Sequence, residues 1–278
     1  MYFTKMHGLG NDYVYVNCFV EYVREPGELA RLVSRRHFGI GADGLILICP
    51  SEKADFRMEI YNADGSRAEM CGNGIRCLAK YVYEHGMTEK KELQIETPAG
   101  IRSLWLKTEG NRVEQVTVDM GYPVLQADKI PIISENSRVI QEKITIHQTE
   151  YRMTGVSMGN PHAVVYVKRV KGIDISRMGP EFEYHGRFPR RINVEFAEVL
   201  GRNRIRVRVW ERGAGETLAC GTGACAAVVA SVLNDLTERQ VSVQLEGGEL
   251  TVLWSSDDGK VYMTGPAETV YDGEIHVS

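Results

Sequence analysis

The sequence predicts an α/β fold of the α+β type: two pseudo-symmetric domains, each a mostly antiparallel sheet wrapped around a central helix. Three observations predict it. The motif Cys-Gly-Asn-Gly at Cys71–Gly74 recurs as Cys-Gly-Thr-Gly at Cys220–Gly223, 149 residues on. At the same offset Gly10-Asn11 recurs as Gly159-Asn160, and Phe56, Met58, Ile60 and Tyr61 fall on Ile205, Val207, Val209 and Trp210. Leu104-Trp105 likewise falls on Leu253-Trp254 and Gly110 on Gly259, so the expected repeat runs without a gap over about a hundred residues. Finally, 278 residues suit two domains of about 100–150 residues each.

The elements follow in order. A helix is expected from Glu28 to about Arg36. Phe56–Tyr61 alternates apolar and polar, as a half-buried strand does, and Ile205–Trp210 keeps the same phase. After Cys71–Gly74, residues Ile75, Leu78, Ala79 and Val82 recur at helical spacing. After Cys220–Gly223, the run Cys225–Leu233 is apolar on all sides, which marks a buried helix. Strands joined by turn signals come next: Leu93–Thr97, Ile101–Leu106 and Val113–Val118 in the first copy, and Val241–Leu245, Leu250–Trp254 and Val261–Met263 in the second. Val270–Val277 reads as one more strand, expected to return to the first domain's sheet. Tyr122–Gln148 has no counterpart in the first copy, so the boundary is placed at its start. The expected domains are 1–121 plus 266–278, and 122–265.

Composition narrows the class. Hydrophobic residues are 43% and charged residues 25%, enough apolar content for a packed core. A net charge of −4 gives no basic face for nucleic acid. No apolar run approaches the ~20 residues of a membrane helix, and no basic stretch followed by an apolar one opens the chain. A cytoplasmic protein is expected, without nucleic-acid or membrane partners. Six cysteines with no Cys-x-x-Cys do not suggest a disulfide scaffold or a zinc site, so no metal is expected. Cys18, Cys49, Cys77 and Cys225 read as small buried hydrophobes.

Cys71 and Cys220 differ from those four, because each stands at the start of a helix in a matching position. A helix N-terminus offers unpaired N–H groups and positive dipole charge. That field favours a thiolate and binds an anion such as a carboxylate. If the two copies face one another, two cysteines flank a single carbon, and one can take its proton while the other delivers a proton to the opposite face. The N–H groups would stabilise the enolate-like charge, so no cofactor is required. Asn62 and Glu211 each stand nine residues before a cysteine, and Asn11 and Asn160 also match. His162 and Arg212 have no chemical counterpart, since Tyr13 and Ala63 occupy their places. Arg212 could clamp a carboxylate bidentately and Glu211 an ammonium. Each of these also has a structural reading, as a turn residue, a surface ion pair or a satisfied core histidine.

The segments Gly8–Tyr13, Met70–Cys77, Met158–Val164, Asn193–Phe196, Trp210–Thr217 and Ala219–Ala226 together resemble diaminopimelate epimerase, in order and over essentially the whole chain. The resemblance implies a cofactor-independent two-base epimerase that converts LL-2,6-diaminopimelate to the meso form, on the route to lysine and peptidoglycan precursors. It implies a homodimer. It makes Cys71 and Cys220 the paired acid and base, and Asn11, Asn62, Asn160, Asn193, Glu211 and Arg212 the substrate's holders. It gives the reacting carboxylate to the backbones of Gly72, Asn73, Gly221 and Thr222, the tuning of cysteine acidity to His162 and Glu211, and a dimer contact to Tyr271. Some members carry a glutamine where this chain has Gly44, whose repeat partner is Asn193. A proline or hydroxyproline racemase, a Cys71–Cys220 redox switch and a diaminopimelate-binding protein are the rival readings.

Overall fold

The computed structural model describes residues 1–276. The chain divides into two compact units, Met1–Asp119 with the C-terminal segment from Thr264, and Met120–Met263. Each crossing falls two residues before the boundary expected from the sequence.

Unit 1 contains β1 (Tyr2–Gly8), β2 (Asn11–Asn17), α1 (Pro26–Ser34), β3 (Gly44–Cys49), β4 (Phe56–Asn62), β5 (Arg67–Ala68), α2 (Gly72–Glu84), β6 (Glu92–Thr97), β7 (Gly100–Glu109) and β8 (Arg112–Gly121). Unit 2 contains β9 (Glu142–Ile146), β10 (Thr149–Ser157), β11 (Pro161–Tyr166), α3 (Ile175–Glu183), β12 (Asn193–Gly201), β13 (Arg204–Glu211), β14 (Gly215–Thr217), α4 (Gly221–Leu233), β15 (Gln240–Leu245) and β16 (Gly248–Trp254). β17 (Val261–Gly265) leads out of unit 2, and β18 (Glu268–Glu274) completes unit 1. Val277, the last residue of the expected closing strand, lies outside the described residues. The first helix begins two residues before Glu28, because Pro26 is pre-set for the first helical turn, and it ends at Ser34. No helix among the described residues is long and apolar enough to cross a membrane.

The two units share one wiring. In unit 1, β2 runs parallel to β3 and β4 parallel to β6, and the other pairings around them are antiparallel. In unit 2, β11/β12 and β13/β15 are the parallel pairs. Each parallel pair needs a crossover, and a helix supplies it. The register is also shared: Tyr13 opposes Gly44, and His162 opposes Asn193. Both central helices are buried by the strands around them. α4 carries no charged residue and is buried over most of its length, as expected of the run Cys225–Leu233. α2 is buried over nearly its whole length rather than along one stripe, because its cations find partners inside. Arg76 reaches the carbonyls of Gly72 and Pro266, and Lys80 reaches Glu84 and the carbonyl of Val113.

The gapless repeat needs one correction. The offset of 149 holds from the first hairpin through the central helices, whose bounds match residue for residue. Beyond them Leu93 opposes Leu104, and Val241 opposes Val252. The offset there is 148, so Leu104-Trp105 matches Val252-Leu253 and not Leu253-Trp254. One residue is missing from the loop after α4, and the whole hairpin slips by one to keep its apolar residues inside. The edge strands differ in origin as well. β18, which follows β17, lies beside β1, whereas β9, which follows β8, lies beside β10.

Candidate active site

In unit 1, the β1–β2 hairpin turns on Leu9 and Gly10, both with positive φ (58° and 83°), as a two-residue turn of this hand requires. Asn11 thereby opens β2. Its Nδ2 donates to Asp43 Oδ2 at 2.9 Å, and Asp43 also accepts the N–H of Asp12. So held, Asn11 turns its Oδ1 to Cys71 Sγ at 3.4 Å and to Asn73 Nδ2 at 3.3 Å. Cys71 caps α2 with an extended backbone, and its Sγ accepts the N–H of Gly74 at 3.3 Å. Burial pushes this thiol up, and the N–H groups of Gly74 and Asn73, the Tyr13 hydroxyl and Arg76 oppose that rise. Arg76 Nη2 donates to Asn73 Oδ1 at 2.9 Å, which fixes the first turn of the helix.

In unit 2, Cys220 caps α4 in the same extended conformation and is buried. Its Sγ is 3.5 Å from Thr222 Oγ1. Burial pushes this thiol well up, and the nearby carboxylates of Glu211 and Glu195 push it further. His162 and Glu195 are both fully buried. His162 Nδ1 lies 2.7 Å from Glu195 Oε1, and Nε2 lies 2.9 Å from Asn160 Oδ1. Glu195 Oε2 is buried without a hydrogen-bond partner among the described residues. Burial raises the pKa of Glu195 against the pull of His162.

The second glycine of each motif makes room for the strand beneath. A Cβ on Gly74 would meet Ile46 Cδ1 at 2.5 Å, and one on Gly223 would meet Glu195 Oε1 at 2.7 Å. Ile46 and Glu195 are repeat partners, as are Tyr13 and His162. Gly44 is closed to any side chain, since a Cβ there would lie 2.2 Å from the carbonyl oxygen of Tyr61 and 2.8 Å from Tyr13 Cε1.

The structure thus joins Asn11, Cys71 and Asn73 in one network, and Asn160 and His162 in another beside the Cys220 helix. Asn193 forms a third group: its Nδ2 donates to the carbonyl of Pro161 at 2.8 Å, and its Oδ1 accepts the Arg212 N–H at 2.8 Å. The Arg212 side chain is exposed, with Nη1 on the carbonyl of Arg190. Asn62 and Glu211, at the ends of β4 and β13, have local partners in Ser66 and Thr217. Gly72 and Gly221 begin the two helices, and both are buried. Tyr271 stands apart on β18, edge-to-face with Phe3 at 5.9 Å. No group of three or more potential metal ligands comes together among the described residues.

Four residues of these networks escaped the sequence reading: Glu195, Tyr13, Asp43 and Arg76. Glu195 left a signal, a carboxylate within the otherwise apolar run Val194–Ala197. Tyr13 left another, as the repeat partner of His162.

The family profile described as diaminopimelate epimerase matches residues 3–126 and 154–270, one stretch for each copy of the repeat. A diaminopimelate epimerase of Acetivibrio thermocellus is 55% identical over all of this chain and 99% of its own length. One of Methanococcus maripaludis is 54% identical over the full length of both. Among solved structures, a probable proline racemase from Agrobacterium radiobacter superimposes with a TM-score of 0.74 at 16% identity, covering all of this chain and 93% of that one. A phenazine biosynthesis protein of the PhzF family from Bacillus anthracis gives 0.71 at 16% identity, covering all of this chain and 99% of that one. At such identities these likenesses concern the fold. The full-length relatives and the profile go further: this chain belongs to the diaminopimelate epimerase family.

Proposed function

We propose that the protein epimerises LL-2,6-diaminopimelate to the meso isomer by proton transfer through Cys71 and Cys220, in lysine and peptidoglycan precursor biosynthesis. The observation that carries the reading is a cysteine at the cap of the central helix in both repeats of a chain of this family. One cysteine, as thiolate, takes the α-proton, and the other, as thiol, delivers a proton to the opposite face. The proton count is unchanged, and the two sulfurs exchange states with each turnover. The backbone N–H groups of Gly72, Asn73, Gly221 and Thr222 receive the carboxylate charge as it develops. Asn11, Asn62, Asn160, Asn193, Glu211 and Arg212 hold the substrate, with Asn193 fixing the backbone from which Arg212 extends.

Both thiols are pushed up by burial, so proton-accepting groups nearby must draw the proton from one of them. His162 does this, Glu211 tunes the acidity of Cys220 through its charge, and Glu195 is a positioning residue that orients the imidazole. No cofactor is assigned. A homodimer with Tyr271 at the contact, working in the cytoplasm, completes the proposal. Light scattering should then give about twice the chain mass of 31.2 kDa, and Tyr271→Ala should halve it. The decisive assay supplies LL-diaminopimelate without pyridoxal phosphate and follows the isomers by chiral chromatography. An unchanged isomer ratio overturns the assignment. Proline offered in its place tests the racemase alternative, which Glu211 and Arg212 disfavour because proline has no second amino-acid head.

A further inference from the structure

Away from the capping cysteines, unit 1 holds a second pair of thiols. Cys18 directly follows β2, and Cys49 ends β3. These strands are parallel with Asn17 opposite Ile48, and the Cys18 N–H donates to the Ile48 carbonyl at 2.9 Å. The next rung therefore sets Cys18 beside Cys49. Both belong to the apolar cluster that contains Val14, Val16, Leu45 and Leu47, so their side chains share one face of the sheet. Neighbouring strands are about 4.8 Å apart, within the roughly 4.4–6.8 Å that a disulfide spans between Cα atoms. Both are free thiols.

The surroundings divide the two roles. The neighbouring thiols shift one another, holding the pKa of Cys49 below the usual thiol value and pushing that of Cys18 far up, so Cys49 is the more readily ionised of the two. Arg57 opposes Cys49 across β3/β4, and its guanidinium supports the Cys49 thiolate. Glu59, ion-paired with Arg57 at 3.4 Å, partly offsets that support. Cys18 is half-buried and forms the outer member of the pair.

We propose that Cys18 and Cys49 are a redox-active dithiol, separate from Cys71 and Cys220, that closes to a disulfide when a peroxide is supplied and reopens with a thiol reductant. The Cys49 thiolate attacks one peroxide oxygen and the O–O bond breaks. Hydroxide leaves and is protonated to water, and Cys49 becomes a sulfenic acid. The Cys18 sulfur then displaces the sulfenic oxygen as a second water and the S–S bond forms. Two thiols are oxidised and one peroxide is reduced. The pair lies at the far end of β2 and β3 from Asn11 and Gly44. At about 3.3 Å per residue this is roughly 20 Å, so closure leaves the Asn11–Cys71 network in place.

The test exposes the full-length protein to limiting hydrogen peroxide, alkylates the remaining thiols and maps a non-reducing digest by mass spectrometry. The expected result is a peptide joining Cys18 to Cys49. It should be lost with dithiothreitol, absent in Cys18→Ser and in Cys49→Ala, and still formed in Cys71→Ser. Cys18→Ser should keep its basal epimerase activity, and Arg57→Gln should slow cross-linking several-fold. The proposal is overturned if both thiols stay alkylatable at peroxide doses that oxidise Cys71, or if Cys49 goes to sulfinic acid without cross-linking. An unchanged rate in Arg57→Gln overturns the role of Cys49 as nucleophile.

Discussion

Around their capping cysteines the two repeats share a backbone and differ in charge. Beneath the Cys71 helix lie Ile46 and Tyr13, an aliphatic chain and a buried phenol. At the matching positions beneath the Cys220 helix lie Glu195 and His162, a buried carboxylate and an imidazole 2.7 Å apart. In unit 1 the asparagine of the hairpin faces the thiol itself, and in unit 2 it faces the histidine. Repetition of a scaffold places two thiols alike, but equal placement does not give them equal proton affinity. The carboxylates beside Cys220 hold its proton more firmly than anything beside Cys71 does. A pair that must be thiolate on one side and thiol on the other is helped by such a difference.

Removing either thiol is expected to have the largest effect. Cys71→Ala and Cys220→Ala should each lower turnover by about 10²–10⁴-fold, the usual scale of a lost acid or base. In deuterated water, early meso product should carry deuterium at the inverted carbon while recovered LL substrate stays nearly unlabelled. Label in both isomers from the outset would mean that one base serves both faces, and the comparison of two thiols would collapse.

Next comes Arg212, whose repeat partner is Ala63 and which therefore belongs to one unit only. Lysine keeps the charge but loses the planar fork. The loss of a charge-assisted bond, about 1.5–3 kcal/mol, should reduce kcat/KM for diaminopimelate by roughly 10- to 150-fold. An unchanged kcat/KM would remove Arg212 from the site. The pair Glu195 and Ile46 tests the asymmetry directly. Glu195→Gln preserves size but removes the charge beside His162, and should lower kcat by about tenfold and displace the pH profile. Ile46→Val, the same position in unit 1, should cost about 1 kcal/mol of stability and leave kcat and its pH profile alone. Equal catalytic losses in the two variants would make Glu195 a packing residue.

Stability carries a smaller version of the contrast. Arg76 of α2 is fully buried, and its repeat partner in α4 is Cys225, also fully buried. Arg76→Met leaves the carbonyls of Gly72 and Pro266 short of a donor, at about 1–3 kcal/mol for each unsatisfied group. Cys225→Ala should cost about 1 kcal/mol. Denaturant midpoints compare the two. The slightest effect is on pH dependence. Burial pushes both capping thiols up in the folded chain, while unfolded thiols ionise near pH 8.5. Above that pH the folded state binds more protons, so stability should fall as pH rises and be flat below. Cys220→Ala should flatten this slope more than Cys71→Ala, because Cys220 is pushed up further. The reverse order would contradict the charge difference between the two units.

What could be read from the amino-acid order was whatever repeats along the chain. The two cysteines, the glycines after them, the central helices and the matched strands all lie in periodic or duplicated segments, and local spacing is enough to find them. Tertiary structure decided the contacts that parallel strand register creates. Glu195 meets His162 from 33 residues away because β11 and β12 run side by side, and Cys18 meets Cys49 for the same reason in β2 and β3. It also decided the one-residue slip after α4, which no motif marks because a hairpin moves as a unit to keep its apolar face inside. The burial of Arg76 was likewise invisible in a helical pattern, since a guanidinium enters a core only when carbonyls from elsewhere in the chain, here Pro266, are there to receive it.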